Sequence, residues 1–346
     1  MLCPGWSHLP FRNPLDELFC QVPAVLSKRR ITKQSHIDQQ STSLGIPFTK
    51  VANNVKISQV NRLLLIIICL FTALAAFGQQ RPLITDDVDI TPQGSLEISA
   101  GADFLQNVKF PLSGLKGDLT RIGDIRIRTG FSSNVELQIE GTVQNFLAIN
   151  SQVTPAPIPL NIAGNSTNDF DDFTVSAKVK LLNETRVLPA LGFKFGFSMP
   201  NSDQARGIGT NQINIFSKAI VQKRFGKRPG RSPFANIYGN LGLGIMSAPL
   251  AQFTQNDVLL YGLAGIFRVT ERVNVVSEVN GRVSTRSGPA PLGTESVGNF
   301  RIGTQIRASG LRFDTAAIFG LTKFSPRSGL TFGVTYQSPA FLPVAK

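Results

Sequence analysis

From Gln79 to Lys346 the sequence has no histidine, no cysteine and no tryptophan. His8 and His36, Cys3, Cys20 and Cys69, and Trp6 all lie before that point. The later stretch therefore cannot build a Ser-His or Cys-His nucleophile pair. It cannot build a His/Cys zinc site, a disulfide or an iron–sulfur cluster either. A membrane-embedded lipase or acyltransferase would lack its usual base. The chain reads as a non-enzyme with no catalytic residue, cofactor or metal. Charge is sparse too, at 16% of residues, and one-sided: Lys+Arg 35 against Asp+Glu 22 gives +13. What is left to do the work is shape, hydrophobicity, and lysine, arginine and carboxylate side chains.

One apolar run is present. Leu63 to Phe77 carries no charge, Lys56 and Arg62 precede it, and Ala76-Phe77-Gly78 offers a small-x-small cut site. This is the layout of a secretory signal peptide. The run is short of the roughly 20 residues of a membrane-spanning helix. The expected organisation is a signal peptide at 61–78, a mature domain at 79–346, and an extension at 1–60. That extension is either a misassigned start or a disordered segment.

From Gly94 onward apolar and polar residues alternate with period two, as in strands with one apolar face. Leu96, Ile98, Ala100 and Ala102 alternate with Glu97, Ser99, Gly101 and Asp103. Leu191, Phe193, Phe195 and Phe197 alternate with Gly192, Lys194, Gly196 and Ser198. Segments of this kind recur to Tyr336, about twelve in all, near the roughly 9–11 residues that a tilted strand needs to cross a bilayer. Short links are expected at 132–134, 183–187, 270–271 and 309–310, and long ones at 105–119, 146–169, 200–210, 247–257, 284–296 and 323–328. Short turns at one end and long loops at the other are the pattern of an all-β, single antiparallel transmembrane barrel. Soluble sandwiches also alternate, but here the polar faces are rich in Gly, Ser, Thr, Asn and Gln. Phe332-Gly333-Val334-Thr335-Tyr336 is similar to the terminal signal read by the barrel-assembly machinery, although a tail follows it.

The mature chain opens Arg81-Pro82-Leu83-Ile84-Thr85-Asp86-Asp87-Val88-Asp89, followed by Gly94-Ser95-Leu96-Glu97. With Gly123-Asp124-Ile125-Arg126, Asp172 to Lys178, and Leu188-Pro189-Ala190-Leu191, this opening resembles the family of transporters of the meta-pathway of phenol degradation. The family motif, Arg-Pro-x-x-Thr-Asp-Asp, falls on Arg81, Pro82, Thr85, Asp86 and Asp87. The resemblance implies an outer-membrane barrel of a Gram-negative-type envelope, acting as a channel for small solutes, hydrophobic or aromatic ones among them. It implies no catalytic residues. The alternative is a structural or adhesive barrel working through its surface loops.

The lumen-facing candidates, by strand period, are Arg126, Arg128, Lys178, Lys180, Lys194, Lys218, Arg268, Glu278, Arg282, Arg301, Arg307, Arg312 and Asp314. They would form either a charged, solute-selecting lumen or an ion-pair network filling a narrow barrel. Because basic residues outnumber acidic ones on these faces, an open lumen would prefer anions. Thr85-Asp86-Asp87-Val88-Asp89 reads either as oxygen ligands for a divalent cation or as a plug whose carboxylates pair with basic residues at the periplasmic mouth; the plug is favoured. The basic run Lys223 to Arg231 suits anionic lipid head groups. Expected partners are outer-membrane lipids, the assembly machinery and a small solute. Nucleic acid is not expected, because the basic residues follow the strand period rather than cluster. Mass spectrometry of the membrane-extracted protein should find Gln79 at the mature N-terminus; abundant peptides from residues 1–60 would refute the misassigned start.

Overall fold

A computed structural model describes residues 83–226, 233–251, 254 and 256–341. The expected extension, the signal peptide, Arg81 and Pro82 lie outside the described residues. The elements are β1 (Leu96–Phe110), β2 (Leu115–Gly130), β3 (Val135–Gln152), β4 (Ser166–Asp169), β5 (Thr174–Leu182), β6 (Ala190–Ser198), β7 (Asn214–Phe225), β8 (Ala235–Ile245), β9 (Asp257–Arg268), β10 (Val273–Ser284), β11 (Val297–Ala308), β12 (Leu311–Gly320) and β13 (Ser328–Gln337). A single 3-10 turn, Gln204–Arg206, accompanies them.

Each strand pairs antiparallel with its neighbour, and β1 pairs with both β2 and β13, so the sheet closes on itself. β4 only pairs with the upper part of β3, at Asn145–Ala148, leaving a closed barrel of 12 strands. Closure leaves none of the 12 barrel strands with a free edge, which hydrocarbon demands.

Burial is inside out. Lys178 and Lys194 are each 1% exposed and Glu136 is 0%, while Phe195 is 53%, Leu241 59% and Leu263 62% exposed. A soluble sandwich would show the reverse, because charges almost never bury while large apolar chains stay out. The outward row of Phe193, Phe195, Phe313 and Phe319 makes an apolar belt with Leu243, Ile302 and Phe332. Register matters here, since a slip of one residue would carry the inner lysines into lipid.

The link at 105–119 is not the long loop expected, and the long link expected at 146–169 begins only after Gln152. β1 and β2 run on to a tight turn at Pro111–Gly114, where Gly114 takes φ 72°, and β3 continues to Gln152. The reason is apolar packing: Leu115, Leu119 and Leu147 are buried among Leu105, Val108, Phe110, Ile149, Leu160, Ile162 and Ile208. This cluster gives the β1–β3 wall an inner face worth extending beyond the membrane. The short turns lie at the end where β1 begins and β13 finishes, the periplasmic end in barrels of this kind. Phe195→Arg should weaken folding into bilayers by roughly 2–4 kcal/mol. Arg301→Gln, which keeps a polar group toward Asn280, should cost less than about 1 kcal/mol. Urea titrations of folding into vesicles check this, and equal effects would count against the facing of these strands.

Candidate functional site

Just before β1, residues 83–93 run inside the barrel. Two apolar side chains seat them. Leu83 packs on Tyr238, Ala264, Ile266 and Val276 of β8–β10, and Val88 packs with Ala190 and Ile220 of β6–β7. Between these anchors the segment is held by polar contacts. Glu278 accepts from the backbone N–H of Ile84 at 3.0 Å and of Thr85 at 2.9 Å. It also accepts from Thr85 Oγ1 at 3.0 Å. Gln222 Oε1 accepts from Val88 N–H at 2.8 Å, and Glu136 accepts from Thr91 N–H and Oγ1 at 2.6 and 2.7 Å.

The segment's three carboxylates, Asp86 and Asp87 of the motif and Asp89 after it, each meet cations of the wall. Asp86 lies 3.2 Å from Lys194 and 2.5 Å from Lys218. Asp87 lies 2.9 Å from Lys178, which also stands 3.1 Å from Glu136. Asp89 pairs with Arg224 and lies 3.9 Å from Lys180. A buried charge is tolerable only when paired and hydrogen-bonded, so segment and wall each supply what the other lacks. The seat is also cut to size: a Cβ at Gly262 would stand 3.0 Å from Thr85 Oγ1, and one at Gly192 3.4 Å from Val88.

The segment leans on the β3–β10 wall. On the opposite side a cavity of about 50 Å³ survives, bordered by Leu83, Asp103, Asp124, Arg126, Arg301, Arg312 and Asp314 among others. Arg126 donates to Leu83 O at 2.6 Å and to Asp124 at 2.9 Å. Arg312 donates to Asp314 at 3.1 Å, and Arg301 to Asn280 at 2.9 Å. Since one water needs roughly 10–15 Å³, this space holds a few waters and no organic solute.

The sequence-predicted residues thus divide. Lys178, Lys194, Lys218, Lys180 and Glu278 gather on the plug; Arg126, Arg301, Arg312 and Asp314 border the cavity. Arg128 pairs with Glu97 in the wall. Arg268 pairs with Glu271 at a periplasmic turn. Arg282 donates to Gly293 O and Glu295 O at the other end, and Arg307 sits in register with Arg312. Gln222, Gln138, which accepts from Lys194 at 2.6 Å, and Arg224 were missed as site residues. Arg224, expected in a lipid-facing basic turn, instead pairs with Asp89 and, at 3.2 Å, with Glu184. The signal was there: Arg224 lies an even number of residues from Lys218 and so shares its face. Lys223 donates to the carbonyls of Thr185, Arg186, Val187 and Leu188; the rest of that basic run, from 227, lies outside the described residues.

With the geometry in hand, comparison places the fold. No family model matches the chain, and no curated protein matches it in sequence. Among solved structures, the COG4313 outer membrane channel from Pseudomonas putida F1 is similar at TM-score 0.53 and 15% identity, covering 75% of this chain and 100% of that one. The chain is an outer-membrane β-barrel. Weaker likenesses include the Pseudomonas putida toluene transporter TodX, at TM-score 0.34 and 9% identity over 71% of this chain and 89% of that one. LpxR from Salmonella typhimurium matches at TM-score 0.35 and 11% identity over 70% and 99%. One expectation is corrected. The sequence reading excluded an enzyme, yet outer-membrane enzymes stand among the barrels that this fold resembles. The barrel does not exclude catalysis, and non-enzyme is withdrawn as a conclusion.

Asp86→Asn should leave Lys194 and Lys218 without their shared carboxylate. Removing one partner of a buried pair costs about 3 kcal/mol, roughly a hundredfold in the docking equilibrium. Single-channel recordings should then show frequent large openings; wild-type closed times would refute the docking role of Asp86.

Proposed function

We propose that the protein is an outer-membrane channel of the phenol meta-pathway transporter type, passing small hydrophobic or aromatic solutes, with residues 83–93 as the element that closes it. The observation that carries the reading is the division of the barrel interior. The extracellular end is apolar around Leu115, Leu119 and Leu147, whereas the lower lumen is polar and filled by the docked segment. An apolar solute can partition into the upper part, and it passes only when the segment yields. The opening motif supports the same reading, because its Thr85, Asp86 and Asp87 are the residues that dock. The fold likeness to a protein described as an outer membrane channel agrees with it.

The docked carboxylates also revise the expected ion preference. With Asp86, Asp87 and Asp89 joining Glu136, Glu140 and Glu184 against Lys178, Lys180, Lys194, Lys218 and Arg224, and three aspartates facing three arginines around the cavity, the intact protein should discriminate little between cations and anions. A chain whose mature part starts at Gly94 leaves these wall cations without the segment's carboxylates and should prefer anions, less so at 1 M salt, where screening acts within about 3 Å. Reversal potentials across a salt gradient test this, and a cation preference of the shortened chain would overturn the assigned docking. Proteoliposomes test the channel itself. Toluene uptake should exceed that of empty vesicles, while arabinose should cause no swelling. Uptake equal to empty vesicles would favour a structural or adhesive barrel.

A further inference from the structure

We propose that the cavity between the loops 285–296 and 321–327, at the extracellular mouth, captures small amphipathic organic carboxylates, aromatic ones above all. The cavity measures about 570 Å³, inside the roughly 300–1,000 Å³ range of small-molecule sites. Its walls combine two chemistries. Pro289, Leu292 and Phe324 are apolar, and Arg286 and Lys323 are cationic. Neither cation pairs with a carboxylate among the described residues. Lys323 Nζ stands 5.5 Å from the centroid of the Phe324 ring, so ammonium and ring face are presented together. A ligand with a ring and an adjacent carboxylate meets both at once: the ring stacks or packs edge-on, and the anion takes charge-assisted hydrogen bonds from Arg286 and Lys323.

The cavity is built rather than left over. Arg282 straps the first loop to the barrel through Glu295 O at 2.9 Å and Gly293 O at 3.0 Å. Thr322 Oγ1 ties the second loop to Ser296 O at 3.0 Å, and Ser325 Oγ ties it to Gly298 O at 2.6 Å. Lys109 holds the backbone carbonyl of Lys323. A wall fixed in this way lowers the ordering cost of binding. The one acidic lining residue, Glu295, is 5% exposed, and its oxygens accept from Gly293 N–H at 3.1 and 3.0 Å. Burial also pushes its carboxyl above the usual carboxylate range, which softens its repulsion of an anion.

The proposal rests on the channel reading only in treating the site as a first station for solute; binding is measured without transport. The full chain in nonionic micelles should bind benzoate saturably by calorimetry and saturation-transfer NMR. Benzyl alcohol, a ring without charge, and acetate, a charge without a ring, should each bind about tenfold more weakly. R286Q with K323Q should lose benzoate by about the same factor, and Phe324→Ala should erase the preference over acetate. Equal binding of benzyl alcohol, or unchanged benzoate binding by the double variant, would overturn the proposal. So would stronger competition by inorganic phosphate or lipopolysaccharide, which would reassign the cavity to a phosphate head group. Benzoate binding without any solute uptake would sink the channel reading and leave this site standing.

Discussion

Hydrocarbon offers a peptide group no hydrogen-bond partner, and the rest of this structure follows from that constraint. Every barrel strand must find two neighbours, so β1 closes on β13. Closure turns one face of each strand outward to lipid, and the period-two sequence puts Phe, Leu and Ile there. The complementary face must then carry everything polar into a narrow interior. In a wide barrel these groups would meet water. In 12 strands they crowd one another, and charge becomes a packing problem.

The N-terminal segment resolves that problem. Lys178, Lys194 and Lys218 stand in register on adjacent strands, and the wall's own acids, Glu136 and Glu140, answer only part of their charge. Asp86, Asp87 and Asp89 answer the rest at distances where a low-dielectric interior makes each contact strong. Leu83 and Val88 then fix the segment along the axis by filling two apolar seats. Such a segment is held mainly by wall side chains, and among the described residues its backbone pairs with the sheet at the isolated bridge Gln93–Gly130.

The extracellular end obeys a different rule. There the extended β1–β3 wall, the loops and the 3-10 turn bury leucines and isoleucines against each other, and Ser113 Oγ donates to Gly207 O at 2.6 Å to hold the cover in place. The interior is thus apolar above and ionic below.

The barrel, the outward phenylalanines and the inward lysines were legible in the sequence because strand period two maps position directly onto face. The plug was legible in outline, since three aspartates ahead of the first strand have few other uses in a basic barrel. The partners of those aspartates were not. Lys178, Lys194 and Lys218 lie on three strands whose relative register is set by closure, and period alone cannot say which lysine meets which aspartate. Arg224 was misplaced for the same reason, a basic cluster in sequence outweighing its strand parity. The lengths of β1, β2 and β3 were missed as well, because the apolar cluster that extends them draws Leu160, Ile162 and Ile208 from distant loops. Local pattern therefore determined faces and fold class, while tertiary structure decided pairings, strand heights and the docked plug, all of which depend on contacts between residues far apart in the chain.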